Sequence, residues 1–261
     1  MSFSIVPVTV DDVTVLAKIS GSAMEKDRQT EMKALAEDPF DMEAYTLESL
    51  PGLLLHPRVA IVKAVDYETG EVMGMCQWGF RGFAPNEMPV LEGQPKRVDD
   101  AKKPAEADAP EDAPREETTA EAEEKTKSEP EPTKQGKDKV KDLVALTDAD
   151  LDAWMEEQMP EGTRCLYIVG LTVSPKFQGR GVGSALLKWG TSVCDANGVF
   201  AWVHSSMGAW QMYQKSGFEV VRTLDVDLDV YAPCPPPGEG EGAKWGIYTF
   251  YYMKYLPKKV D

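Results

Sequence analysis

A turn dense in glycine, Gln178-Gly179-Arg180-Gly181-Val182-Gly183-Ser184, separates an apolar run, Leu166 to Val173, from a segment whose apolar residues recur at helical spacing: Val182, Ala185, Leu186, Trp189 and Val193. Glycine at a strand-to-helix turn lets the backbone close on a ligand, and the unbonded N–H groups of a first helical turn attract anions. Lys176 and Arg180 lie beside the turn, and residues 164–218 hold five basic side chains against one acid, Asp195. Such a setting suits a cofactor that carries phosphates. Three readings of the turn compete. A dinucleotide turn asks for G-x-G-x-x-G and an acid closing the next strand, whereas here the run is G-x-G-x-G and the next strand closes with His204-Ser205. A phosphate-binding P-loop needs Gly-Lys-Ser/Thr after its glycines, and that is absent. The third reading is a turn that serves structure alone.

The elements around the turn can be read from the pattern. Phe3 to Val8 is a strand, and Thr9 with Asp12 resembles a helix cap before Val13, Leu16 and Ile19. Residues 25–37 and 41–50 are helical, broken by Pro39 and by Pro51-Gly52. Val59 to Val65 and Val72 to Trp78 form a hairpin. Thr147 and Asp150 open a short acidic helix to Gln158, and Leu166 to Val173 is a central strand buried on both faces. The helix from Val182 stops at Asn197-Gly198, followed by strand 199–204, helix 209–216, strand 218–226, a Pro/Gly loop at 233–242 and a last strand, Trp245 to Tyr255. One or two aromatic residues of that last strand are expected to line a pocket. This interleaving gives one mixed sheet of the α/β (α+β) class. Residues 93–142 interrupt it. From 96 to 142 there is no aromatic residue, Leu, Ile or Met, but five prolines, 15 acids and 11 bases. Such a composition predicts a disordered insertion within a single domain spanning 1–261.

The chain has 261 residues and a formal net charge of −16, from 44 acids and 28 bases. Without a basic face it is a poor binder of nucleic acid. No apolar run reaches the ~18 residues of a membrane helix, and the start lacks the pattern of a secretory signal. A cytoplasmic protein is therefore expected, with the nucleus also open to it. Cys76, Cys165, Cys194 and Cys234 form no C-x-x-C pair, so reduced thiols and no metal site are expected.

Two spaced motifs together resemble the GCN5-related N-acetyltransferase (GNAT) superfamily. Gln178-x-x-Gly181-x-Gly183, after Leu171-Thr172-Val173-Ser174-Pro175, is similar to its acetyl-CoA motif Q/R-x-x-G-x-G/A. Tyr213-Gln214-Lys215-Ser216-Gly217-Phe218 is similar to its Y-x-K-x-G-F element. The likeness covers about 164–222. It extends more loosely to the hairpin around Lys63, Gly74 and Trp78 and to the strand around Met253, where it looks most like fungal-type members.

That resemblance implies a GNAT-type fold and transfer of an acetyl group from acetyl-CoA to a primary amine by direct attack in a ternary complex. A bulged strand at Leu171, Thr172 and Val173 would offer backbone groups to the pantetheine arm and the acetyl carbonyl. Gln178, Gly179, Arg180, Gly181, Val182, Gly183 and Ser184 would cradle the pyrophosphate, with glycine at 179, 181 and 183 permitting close approach. Tyr213 would be the general acid that protonates the departing thiolate, and Ser206 a polar cofactor contact. No carboxylate lies on the central strand. The base is therefore left among His204, Glu31, Asp38, Glu43 and a water chain. Acidic flanks at 1–70 and 143–163 suggest a cationic acceptor, either a small-molecule amine or a lysine side chain. Alternatives are a CoA-binding regulatory module without catalysis, and a protein-lysine or N-terminal acetyltransferase docked through the insertion.

Overall fold

A computed structural model describes residues 2–93 and 138–258. Along the chain run β1 (Phe3–Pro7), α1 (Val13–Met24), α2 (Arg28–Lys33), α3 (Met42–Leu55), β2 (Val59–Asp66), β3 (Val72–Arg81), α4 (Asp138–Gln158), β4 (Cys165–Val173), α5 (Val182–Asn197), β5 (Phe200–Ser205), α6 (Trp210–Lys215), β6 (Glu219–Asp227), α7 (Leu228–Tyr231) and β7 (Ile247–Tyr255). Among the described residues the strands make one mixed sheet of seven, in the order β1-β2-β3-β4-β5-β7-β6. Only β4 and β5 pair in parallel.

Period-two alternation decides which helix covers which face. Val62, Cys76, Trp78, Phe80, Leu166 and Ile168 point to one side, where α5 buries Val182, Leu186, Leu187 and Cys194 against them. Ile61 and Met75 point to the other, under Leu16 and Ile19 of α1 and Leu50 and Leu54 of α3. On that same side the β5–β7 half is covered by α4, through Trp154 against Tyr167, Trp202 and Tyr252. Leu143 of α4 meets Met32 of α2, Tyr248 and Phe250. Thr9 and Asp12 form the expected capping box ahead of α1. The Asp12 carboxylate also binds Lys63 of β2, tying the helix start to the sheet.

Three helices differ from the expectation. The one expected over 25–37 is α2, Arg28–Lys33, which starts where the Asp27 carboxylate accepts from the Thr30 N–H. The helix α3 runs through Pro51 to Leu55, because Leu50 and Leu54 both belong in the core and their burial outweighs one missing backbone hydrogen bond. The helix α4 begins at Asp138, with Val140 and Leu143 buried. Thr147 is thus not its cap: its hydroxyl bonds back to the carbonyls of Leu143 and Val144. Residues 138–142 are helix, not insertion, and 94–137 lie outside the described residues.

Candidate active site

The sheet opens at its centre. β4 is paired with β3 along its whole length, yet with β5 only at Cys165–Phe200, Leu166–Ala201 and Tyr167–Trp202. Through its other edge, β5 stays paired with β7 from Ala201 to Ser205. The two half-sheets diverge, and alternate N–H and C=O groups of Ile168 to Val173 face a slot with no β5 partner among the described residues. The expected bulge lies earlier than Leu171–Val173. Trp78 opposes Ile168 and Gln77 opposes Gly170, so Val169 is the extra residue that bends β4. Leu171 and Thr172 are consequently only half buried, where burial on both faces was expected. Val173 stays in the core.

At the C-terminal end of this slot the glycine turn reverses the chain into α5. Gly179 and Gly181 have φ of 73° and 82°, a left-handed backbone that disfavours any side chain, and a Cβ on either would meet nothing within 4 Å. The turn is an open cradle over the N–H groups of Val182, Gly183 and Ser184, which have no carbonyl four residues back to receive them. Gly183 differs in its surroundings: a Cβ on it would lie 2.3 Å from Met212 Sδ of α6, the flexible end of a side chain that can turn aside. Val182 serves the core with its side chain, while Ser184 is exposed. Gln178 turns inward and donates from Nε2 to the Val173 carbonyl at 3.1 Å, bracing the turn and taking one acceptor position of that carbonyl. Lys176 is held by Glu71 at 2.6 Å, so its charge is already matched. Arg180 lies over the Phe177 ring at 5.8 Å. The geometry fits an extended anionic cofactor: a strand edge in need of partners, leading to an unobstructed helix N-terminus.

Tyr213 of α6 is 4% exposed, edge-on to Phe218. Burial, with Cys76 adding to it, pushes its phenol well above the ordinary value. On the opposite face a cleft of about 250 Å³ is lined by Met24, Asp27, Gln29, Lys33, Thr147, Asp148, Leu151, His204, Ser206, Tyr248 and Phe250. His204 and Ser206, at the end of β5, bring this cleft to the mouth of the slot. The His204 ring stacks on Phe250 and Tyr252, at 4.9 and 4.6 Å, and its Nε2 is buried without a partner among the described residues. Burial lowers its pKa to about 4, with Asp150 pulling up and Arg222 down, so the imidazole is neutral near pH 7.

None of Glu31, Asp38 and Glu43 lines the cleft; the carboxylates there are Asp27 and Asp148. Asp27 caps α2 through Thr30 and accepts from the Tyr248 hydroxyl at 2.7 Å. Burial raises the Asp148 pKa, and Lys33 opposes it; burial also lowers that of Lys33, against Asp148 and Asp27. Sequence reasoning missed these residues because α2 and α4 are more than 100 positions apart. The one hint was the acidity of 143–163. Tyr248 and Phe250 meet the expectation that the last strand lines a pocket.

Residues 108–218 match the acetyltransferase (GNAT) family model. No curated protein sequence matches the chain. Among solved structures, mosquito arylalkylamine N-acetyltransferase like 5b superposes with a TM-score of 0.51 at 16% identity, covering 98% of this chain and 100% of the other. An agmatine N-acetyltransferase in its apo form gives 0.52 at 15%, with the same coverage. Drosophila melanogaster polyamine N-acetyltransferase gives 0.51 at 13%, again over 98% and 100%. At these identities the likeness is one of fold, and it does not support the fungal-type subgroup.

Proposed function

We propose that this chain, which carries the GNAT acetyltransferase fold and matches that family over residues 108–218, is an acetyl-CoA-dependent N-acetyltransferase of a small-molecule amine. One observation carries the reading: the slot between β4 and β5 has an anion cradle at one end and, across the sheet, a cleft for a second substrate. The neighbours named for agmatine, polyamine and arylalkylamine substrates support an amine as acceptor.

Acetyl-CoA, when bound, supplies an activated acyl group. In this reading the N–H groups of Gly179 to Ser184 and the positive end of α5 hold the pyrophosphate, and Arg180 adds charge. Gln178 keeps the turn in shape. The edge of Leu171 to Val173 that faces the slot would hold the pantetheine arm, and one of its N–H groups would serve the acetyl oxygen where negative charge develops. Ser206 faces the join between cofactor and cleft. The acceptor would arrive as an ammonium, drawn by the acidic groups of the cleft, and give one proton to solvent water before its nitrogen attacked the carbonyl carbon. As the C–S bond broke, Tyr213 would give its proton to the leaving sulfur, and the second proton of the new amide nitrogen would restore the phenol. Its hydroxyl makes no hydrogen bond among the described residues, so a sulfur beside it would gain its donor.

The test is release of free thiol from acetyl-CoA with a panel of primary amines, alongside thermal shift with CoA. Stabilisation by CoA together with amine-dependent thiol release is expected. Stabilisation without release from any amine would make the chain a binding module.

A further inference from the structure

Three charged side chains line the cleft: Asp27, Lys33 and Asp148. Asp27 is already committed. Its Oδ2 takes the N–H and hydroxyl of Thr30, and its Oδ1 takes the Tyr248 hydroxyl. Lys33 and Asp148 are different. They attract each other across the cleft, yet neither closes on the other, and neither makes a hydrogen bond or ion pair with any described residue. The Lys33 ammonium lies over the Phe40 ring, 5.5 Å from its centre. A partly buried ammonium and a partly buried carboxylate, each left open, are costly unless a third party serves both.

We propose that the acceptor is an amine that also bears a carboxylate, an amino-acid-like zwitterion, with Lys33 taking its carboxylate and Asp148 drawing its ammonium. This rests on the acetyl-transfer reading above. A purely cationic acceptor would bring its charge up to Lys33, and a neutral one would leave both groups unserved; a zwitterion pairs each at low local dielectric. A volume of about 250 Å³, roughly that of eight waters, suits one small molecule whose body lies on Met24, Leu151 and Phe250. Lys33 is therefore a specificity residue set by α2, facing a group from α4.

Initial rates with acetyl-CoA and matched pairs test this: phenylalanine against phenethylamine, leucine against isoamylamine, and lysine against cadaverine. The wild-type protein should favour the carboxylate-bearing member of each pair by about 10-fold or more in kcat/KM. Lys33→Met should cut that ratio at least about 10-fold, through KM for the amino acid, and Lys33→Arg should restore most of it. Preference of the wild type for the decarboxylated amines, or a ratio unchanged in Lys33→Met, would overturn the zwitterion while leaving acetyl transfer standing. No turnover of any acceptor would remove both. Should Lys33→Met fold poorly, Lys33→Gln decides between the same outcomes, since it must lower the same ratio and leave CoA binding by thermal shift unaltered.

Discussion

Tyr213 and His204 are both buried aromatic groups, and desolvation moves them in opposite directions because it penalises whichever form is charged. For Tyr213 this keeps the phenol protonated at every working pH, as a proton donor must be. Tyr213→Phe removes no hydrogen bond to a described residue, so urea unfolding should shift by less than about 0.5 kcal/mol. Thiol release should nevertheless fall by ~10²-fold or more if the hydroxyl donates the proton. Equal activity in the variant would make Tyr213 a packing residue. For His204 the consequence is a pH-dependent stability. Its folded pKa of about 4 lies below the ordinary 6.5, so the unfolded chain takes up the proton first as pH falls. The contribution is present in full above about pH 6.5, is lost progressively down to about pH 4, and amounts to on the order of 3 kcal/mol. His204→Phe keeps the stack on Phe250 and Tyr252 and should flatten the decline between pH 7 and pH 5 relative to wild type. The same slope in both proteins would locate the acid sensitivity elsewhere.

At the scale of elements, the slot exists because β4 and β5 stay paired only from Cys165 to Tyr167 and then splay apart, each keeping its outer neighbour, β3 for β4 and β7 for β5. The bulge at Val169 adds the bend. The helix α5 must then sit close enough to the sheet to aim its N-terminus at the slot's end, and Gly190 sets that distance. A Cβ there would fall 2.2 Å from the Trp78 indole, a rigid ring with no exposure. Gly190→Ala should therefore cost about 1–3 kcal/mol by overpacking, read as a lower urea midpoint at unchanged slope. The affinity for CoA should drop with it, since the helix start is displaced. A variant as stable as wild type would mean that Trp78 can turn aside. Much of this level was legible beforehand. The glycine turn, the strand before it and the helix after it all follow from local periodicity, which neighbours in sequence decide. The contact of Gly183 with Met212 was not legible, because Met212 is remote in sequence and no local pattern marks a glycine that lies against another helix.

For the whole molecule, the segment at 94–137 enters between β3 and α4, and α4 walls the cleft with Thr147, Asp148 and Leu151. Excising 96–134 should leave the melting temperature and small-amine turnover near wild type, because that stretch has no aromatic residue, Leu, Ile or Met to add to a core. Extending the cut to 142 removes buried Val140 and the first turn of α4, and should lower both. Equal behaviour of the two deletions would show that α4 needs no such start. The charge balance also changes meaning at this scale. The acids of 1–70 and 143–163 suggested a cationic partner, but within the cleft only Asp148 is open, and Lys33 stands against it.

Sequence alone determined the mixed α/β class, the order of the strands and longer helices, the glycine-rich turn and the place of Tyr213. Each is written in spacing within some 20 residues, where backbone preference and apolar periodicity act. Tertiary structure alone decided where β4 and β5 part, which glycine serves packing, that Lys176 is matched by Glu71, and which charged groups share the cleft. Those outcomes depend on side chains brought together from distant parts of the chain, and on burial, which sets the protonation of the groups so assembled.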